Sequence, residues 1–340
     1  MTAWRCCADA AAILACVAAP GAASETGLSC APPARLMQWP SPQDPAWAFC
    51  YLTPKDSSGA SGSGLEIRDA YYNGHPAFRR AHAPVVNVFY EGGCGCWRGS
   101  SGTEAPFGVV AARGPVSGPP GSEADALVPP RTSCDTRGAE DAGAFSGVAV
   151  ERLSDRVILT TEMAAAWQRY VMRFGFRRDG SIEADFAFAS TGSSCDFHGH
   201  THQVYWRFDF GVPGLGPASR PAREETGLLG AGRKLPLGVM DGTTGRGYVL
   251  IPGPEALASP ADAWSVGDVW LLKHGPGEIG DAGGGCRIDF TGLLNGEPVS
   301  DGEAVIWYRA GVHHPGGGFE DCERVGPSLQ PVGDWSRARK

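Results

Sequence analysis

Charged residues are scarce in this 340-residue sequence: Asp, Glu, Lys and Arg together make up 19%, and acids outnumber bases 37 to 29, for a formal net charge of −8 at pH 7. A chain without surplus positive charge has no electrostatic footprint for a phosphate backbone, which excludes nucleic acid as a partner. Long apolar runs are also missing. Beyond the short run at residues 10–19, nothing approaches the ~18 uninterrupted apolar residues of a membrane-spanning helix, so no transmembrane span is predicted. A helical bundle is excluded too, because 49 Gly and 27 Pro interrupt any 3.6-residue periodicity. Two catalytic signatures are absent. Neither Ser154 nor Ser265 sits in a G-x-S-x-G turn, so there is no nucleophile elbow. The glycine-rich Gly92-Gly93-Cys94-Gly95-Cys96 opens no helix and so does not read as a phosphate cradle.

Cysteine, by contrast, is abundant at 11 residues. Arg5, the apolar run that follows it and the small residues 21–24 read as a signal peptide over residues 1–24. Ile13-Leu14-Ala15-Cys16 offers the alternative of a lipoprotein anchored through Cys16. Removing the leader takes away Cys6, Cys7 and Cys16 and leaves Cys30, Cys50, Cys94, Cys96, Cys134, Cys195, Cys286 and Cys322. An even number of thiols in an exported chain predicts disulfides and a secreted or periplasmic location. Cys94-x-Cys96 is read as disulfide-forming, since no second pair stands at zinc spacing.

Residues 25–64 are turn-rich and end in the linker-like SSGASGSG of 57–64, with Cys30 and Cys50 placed to close the segment. Residues 65–340 read as one all-β domain, a large antiparallel β-sandwich with few helices. Runs rich in β-branched and aromatic residues recur between turn signals at 85–90, 156–161, 169–176, 182–189, 203–210, 247–251, 266–272, 287–290 and 304–311. Asp179-Gly180 supplies the positive-φ positions of a tight hairpin between 169–176 and 182–189. Residues 99–130 read as a long surface loop.

Histidine is where chemistry concentrates. His198, His200 and His202 occupy alternate positions, and alternate residues of a strand face one side, so imidazoles spaced this way can converge on a metal ion. His313-His314 follows the strand at 304–311 and offers a further ligand. His75, His82 and His274 stand alone and read as surface or hydrogen-bonded side chains. Trp167, Tyr205 and Trp206 are candidates for a pocket wall, although aromatics in a sandwich more often fill core.

These motifs resemble the catalytic domain of the copper-containing, topaquinone-dependent amine oxidases. That family sets an H-x-H pair before an R-L-D strand motif, and His200-Thr201-His202 precedes Arg207-Phe208-Asp209 at matching spacing. Its third copper ligand follows a strand of the type V-L-W-Y-T-F-G-x-x-H. Residues Val305-Ile306-Trp307-Tyr308-Arg309-Ala310-Gly311-Val312-His313-His314 resemble it, with Glu320-Asp321 beyond. Ala77-Phe78-Arg79-Arg80-Ala81 through Tyr90, Cys94-Gly95-Cys96, Ser133-Cys134, residues 247–253 and Asp268-Val269-Trp270 also have counterparts, so the resemblance covers roughly residues 75–335. It implies copper held by His200, His202 and His314, a Cys96–Cys134 disulfide, a homodimer, and dioxygen with a small-molecule substrate as reaction partners. His198 is an additional ligand or a neighbour of the ligands, and His313 faces away from them.

The departures from the family are chemical. The quinone forms there from the first tyrosine of N-Y-[DE]-Y, which falls here on Trp167-Gln168-Arg169-Tyr170. Gln168 stands at the quinone-precursor position and cannot be hydroxylated to a quinone, so topaquinone is not expected; a register shift of two would be needed to make Tyr170 the precursor. The family's catalytic Asp also lacks a counterpart, with only Glu91-Gly92-Gly93 between Tyr90 and Cys94. The resulting expectation is an exported copper protein with altered oxidoreductase chemistry, in which Tyr90 and Tyr170 flank the metal as redox-active or supporting phenols. A non-enzymatic copper carrier on the same fold is the alternative.

Overall fold

The structure, a computed structural model, describes residues 27–58, 63–99, 108–109, 132–136, 148–213, 227–228, 237–253, 269–275, 277–280, 288–294, 303–317 and 322–337. The leader at 1–24 and residues 59–62 of the linker lie outside them. In chain order the strands are β1 (Arg35–Trp39), β2 (Trp47–Leu52), β3 (Glu66–Tyr72), β4 (His75–Tyr90), β5 (Cys96–Gly99), β6 (Gly108–Val109), β7 (Ala149–Arg152), β8 (Arg156–Ala165) and β9 (Gln168–Arg177). They continue with β10 (Ile182–Ser190), β11 (His200–Pro213), β12 (Gly227–Leu228), β13 (Leu237–Met240), β14 (Gly247–Ile251), β15 (Val269–Lys273), β16 (Glu303–His314), β17 (Arg324–Val325) and β18 (Ser328–Val332). The one α-helix among the described residues is a single turn, Ser133–Thr136.

The strands form two antiparallel sheets. The first runs β1-β2-β3-β4-β11-β16-β15-β12 with β5 on β4; the second runs β13-β14-β18-β10-β9-β8-β6 with β17 on β10 and β7 on β8. Alternation explains how they stack. Val204, Trp206, Phe208 and Phe210 of β11 face Tyr170, Met172, Phe174 and Phe176 of β9 in one buried core. Trp206 meets Phe174 and Phe186 edge-on at 5.4 and 6.1 Å between centroids, a geometry worth about 0.5–1.5 kcal/mol per pair beyond area burial. The outer face of the first sheet is covered as well, where Tyr205, Trp270, Ile288, Phe290, Val305 and Trp307 make a second core. The middle of β11 and β16 is thus buried on both faces, with short apolar runs at Val204–Trp206 and Ala304–Tyr308.

The β9–β10 hairpin forms where its sequence predicts, with Ile182 opposite Phe176; of the Asp179-Gly180 pair only Gly180 takes a positive φ, +89°. Of the run expected at 287–290, residues 288–290 form no strand beyond a single bridge at Ile288, and Ile288 and Phe290 fill the second core; residue 287 lies outside the described residues. Residues 25–64, expected to be turn-rich, supply β1 and β2, which extend the first sheet through Trp47 opposite Tyr72. Prolines and serines around these two strands hide the alternation of Met37, Trp39, Trp47, Phe49 and Tyr51. Those side chains join the main core, where Phe49 stacks on Phe176 at 4.3 Å.

Disulfides join Cys30 to Cys50, Cys94 to Cys195 and Cys134 to Cys322, as expected of a chain folded in an oxidising compartment. The expected Cys96–Cys134 bridge is overturned. Cys96 is disulfide-bonded but lies on β5 at the first sheet, whereas Cys134 sits on the helical turn that packs against β9 and β10 of the second. Cys322, just before β17, is the thiol within reach there. This bridge closes a span of 188 residues, so replacing both Cys134 and Cys322 by serine should lower the unfolding free energy by about 2–5 kcal/mol. Guanidinium unfolding measures the loss, and non-reducing peptide mapping should recover the 134–322 link.

Candidate metal centre

β11 lies between β4 and β16, and its register sets the site. His200 pairs with Tyr90 on β4 and with His314 on β16, so these three side chains form one row across three strands, on one face. His202 stands two residues on, on the same face. His200, His202 and His314 are all buried. Their ring centroids lie 5.1 Å (His200–His202), 5.2 Å (His200–His314) and 5.6 Å (His202–His314) apart. Rings whose nitrogens each sit about 2 Å from a shared ion have centroids roughly 4.5–5.5 Å apart; the first two separations lie in that range and the third just beyond it. The Nδ1 of His200 donates to the His198 carbonyl at 2.8 Å, which places the ring's lone pair on Nε2. Imidazole donors of this kind suit copper or zinc.

Aromatic and amide groups from the second sheet close over the row. Phe188 stacks on His202 at 4.6 Å with a 17° interplanar angle. Tyr170 lies 6.0 Å from His202, packed among Trp97, Phe186 and Phe188. Tyr90 lies 4.9 Å from His200. Gln168 opens β9 after a tight turn in which Ala166 takes φ +52°, and its amide belongs to the same cluster. The amide NH2 donates to the Ala189 carbonyl at 3.0 Å, while Oε1 accepts from the Tyr90 hydroxyl at 2.8 Å and the Trp167 indole at 3.2 Å. Arg169 holds the turn by donating to the carbonyls of Ala166 and Gln168, both at 2.9 Å.

Other residues singled out in the sequence are placed elsewhere. His198 is exposed, with its ring against Gly92 rather than among the three imidazoles. His313 bonds to Thr201 Oγ1 at 3.0 Å on the opposite face of the sheet. Glu91 also faces that side: its backbone N–H donates to Gly199 O, and its carboxylate occupies the space a Gly199 side chain would fill. Tyr205 and Trp206 are core; Trp167 alone of the three aromatics borders the site. His82 is buried, bonded to Ser63 at 2.9 Å; burial and the Arg207, Arg80 and Arg68 guanidiniums hold it neutral, well below the usual histidine range.

Three features went unseen in the sequence. The Cys94–Cys195 bridge ties the loop after Tyr90 to the 3-10 turn Ser194–Phe197 that leads into His200. Its signal was the near-equal spacing of the two cysteines from the Tyr90–His200 pair, because residues equally far past an antiparallel pair meet. Gly316 was the second: a Cβ there would lie 2.7 Å from Phe197 O and 3.0 Å from His198 C, so its absence lets the chain after His314 pack on the backbone before His200. The third is a cluster nine residues along β11 from His200, about 30 Å at ~3.3 Å per residue, where Asp209, His274 and Glu303 bring ligand atoms within 4.8 Å of one another. His274 Nδ1 bonds Asp209 at 2.7 Å, Arg207 stands 3.6 Å from the same carboxylate, and Arg79 pairs with Glu303. Two guanidiniums already balance these carboxylates, and they oppose a further cation.

The fold is that of solved amine oxidases. The crystal structure of Aspergillus nidulans amine oxidase aligns with 84% of this chain and 50% of its own, at a TM-score of 0.52 and 14% identity. Pichia pastoris lysyl oxidase aligns with 87% of this chain and 54% of its own, at 0.53 and 11%. The chain thus spans about half the length of these relatives. No protein-family profile and no curated protein matches the sequence.

Gly316 adopts φ +88°, and backbone atoms cannot yield to an added methyl. Gly316→Ala should therefore cost about 1–3 kcal/mol of stability, measured by thermal unfolding.

Proposed function

We propose that the protein is an exported copper-binding protein built on the amine-oxidase fold, with His200, His202 and His314 as ligands and an oxidoreductase chemistry other than quinone-dependent amine oxidation. The row of three buried imidazoles across β11 and β16 carries this reading. Copper bound there would supply one-electron redox chemistry between a small-molecule reductant and dioxygen. The chain's own residues hold and shield it. The His198 carbonyl fixes the His200 tautomer, and Phe188 and Tyr170 keep water from His202. Tyr90 donates its proton to Gln168, so the phenol beside His200 has a fixed orientation and an acceptor for its hydrogen. Gln168 offers no phenol for quinone formation. Exposed His198 belongs to the approach to the site.

A second reading, a non-enzymatic copper carrier on the same fold, is favoured by the placement of Glu91. The carboxylate that could have replaced the family's missing base faces the other side of the sheet, which leaves proton abstraction without an obvious agent.

Metal analysis of the purified chain should find one copper, with no phenylhydrazine adduct and no quinone stain. A hydrazine adduct on Tyr170 would restore quinone chemistry and refute the altered-chemistry reading. His202→Ala should lower copper affinity at least about tenfold. Oxygen consumption with reductants should fall with the copper; if wild type and variant consume oxygen alike, the oxidase reading is lost and the carrier stands.

A further inference from the structure

The histidine row is nearly closed to solvent: His200, His202 and His314 expose 1%, 0% and 7% of their surfaces. An electron from a reductant at the protein surface therefore has to cross protein groups to reach a metal held there. One path is laid out in aromatic rings. Tyr90 lies 4.9 Å from His200 with a 32° interplanar angle, and Trp167 lies 6.4 Å from Tyr90 at 52°. Tyr90 is buried, whereas Trp167, on the turn between β8 and β9, is partly exposed. A tryptophan at a surface ordinarily buries its apolar body and leaves its N–H toward water. Trp167 instead aims its N–H at the site: Nε1 lies 3.2 Å from Gln168 Oε1 and 3.3 Å from the Tyr90 hydroxyl, both on buried residues. The turn is held on two sides. Arg169 donates to the carbonyls before and after Trp167, and the Trp167 carbonyl accepts from Thr191 N and Oγ1 at 2.9 and 3.2 Å.

With copper in the histidine row as proposed above, we infer that Trp167 is the electron-entry point of the centre: a one-electron donor at the surface passes its electron across the Trp167 and Tyr90 rings to the metal held by His200. One electron leaves the donor, which is oxidised, and Cu(II) is reduced to Cu(I). No proton moves. The Tyr90 hydroxyl donates to Gln168, and a neutral amide is too weak a base to take that proton, so the phenol carries the electron as a bridge without becoming a radical. A second path is less direct. It would run from Trp97 through Tyr170 to His202, with 6.0 Å at both steps, and Tyr170 meets His202 edge-on at 78°. The Tyr90 ring is closer to its histidine and more nearly parallel to it, and the Trp167–Tyr90 step is spanned by hydrogen bonds as well.

The test uses the copper-loaded full chain, mixed without oxygen with hexaammineruthenium(II), a reductant whose inert ligands prevent it from bonding to the copper. Loss of the cupric electron paramagnetic resonance signal in rapidly frozen samples gives the reduction rate. Trp167→Leu should slow reduction severalfold while the cupric spectrum before mixing stays that of the wild type. Trp167→Phe, which keeps a ring but removes the N–H, should fall between the two. Trp97→Leu should be reduced at the wild-type rate. A wild-type rate in either Trp167 variant, which would point to the slightly exposed edge of His314 as the entry, overturns the route, and so does an equal slowing in Trp97→Leu. The spectrum reports copper independently of the rate. A chain without a cupric signal refutes the copper reading and the route together, whereas a normal signal with an unchanged rate in Trp167→Leu refutes the route alone.

Discussion

Everything at the histidine end depends on the register of one strand. β11 is hydrogen-bonded on both sides, and the pairs Tyr90–His200 and His200–His314 fix where its side chains point. A one-residue slip against either neighbour would send His200 and His202 to the outer face and break the row. Slippage is opposed farther along the same strand, where Trp206 and Phe208 fill one core while Tyr205 fills the other. The geometry of the three imidazoles is thus maintained by apolar packing many residues away, and the Cys94–Cys195 bridge holds the end that packing does not reach.

The second sheet decides what the imidazoles meet. A hairpin turn delivers Gln168 to Tyr90, where its amide oxygen accepts from Tyr90 and Trp167 and its nitrogen donates to Ala189. A buried amide held by three such hydrogen bonds is a rigid wall, since losing any partner would leave a desolvated polar group. Tyr170, one step along the same face of β9, lies among Phe186, Phe188 and His202. A phenol thus stands beside each of two histidines, with the amide hydrogen-bonded to one of the phenols.

Much of this was legible in the sequence, for physical reasons that also mark the limits. Alternation predicts that His200 and His202 share a face, and Asp179-Gly180 predicts the hairpin, because both signals are local. The β-sandwich was legible from strand runs separated by turn signals. The segment at 25–64 was misread because composition averages over Pro and Ser and loses the alternation of Trp47, Phe49 and Tyr51. The partner of Cys134 was misread because a disulfide reports proximity between sheets, and nothing local in the sequence says which face the turn at 133–136 packs against. The orientation of Glu91 becomes clear only once Tyr90 is paired with His200. The aromatic path to the surface is assembled from positions 200, 90 and 167, which no short motif connects.

The central claim is that the row of imidazoles, rather than the acidic cluster along the same strand, is the metal centre. X-ray absorption at the copper edge, together with anomalous diffraction from crystals of the copper-loaded chain, tests it most directly. The account predicts one copper site per chain, with three imidazole nitrogens at about 2.0 Å and the anomalous peak among His200, His202 and His314. An oxygen-rich shell with the peak at Asp209, His274 and Glu303, or no ordered copper at all, would contradict it.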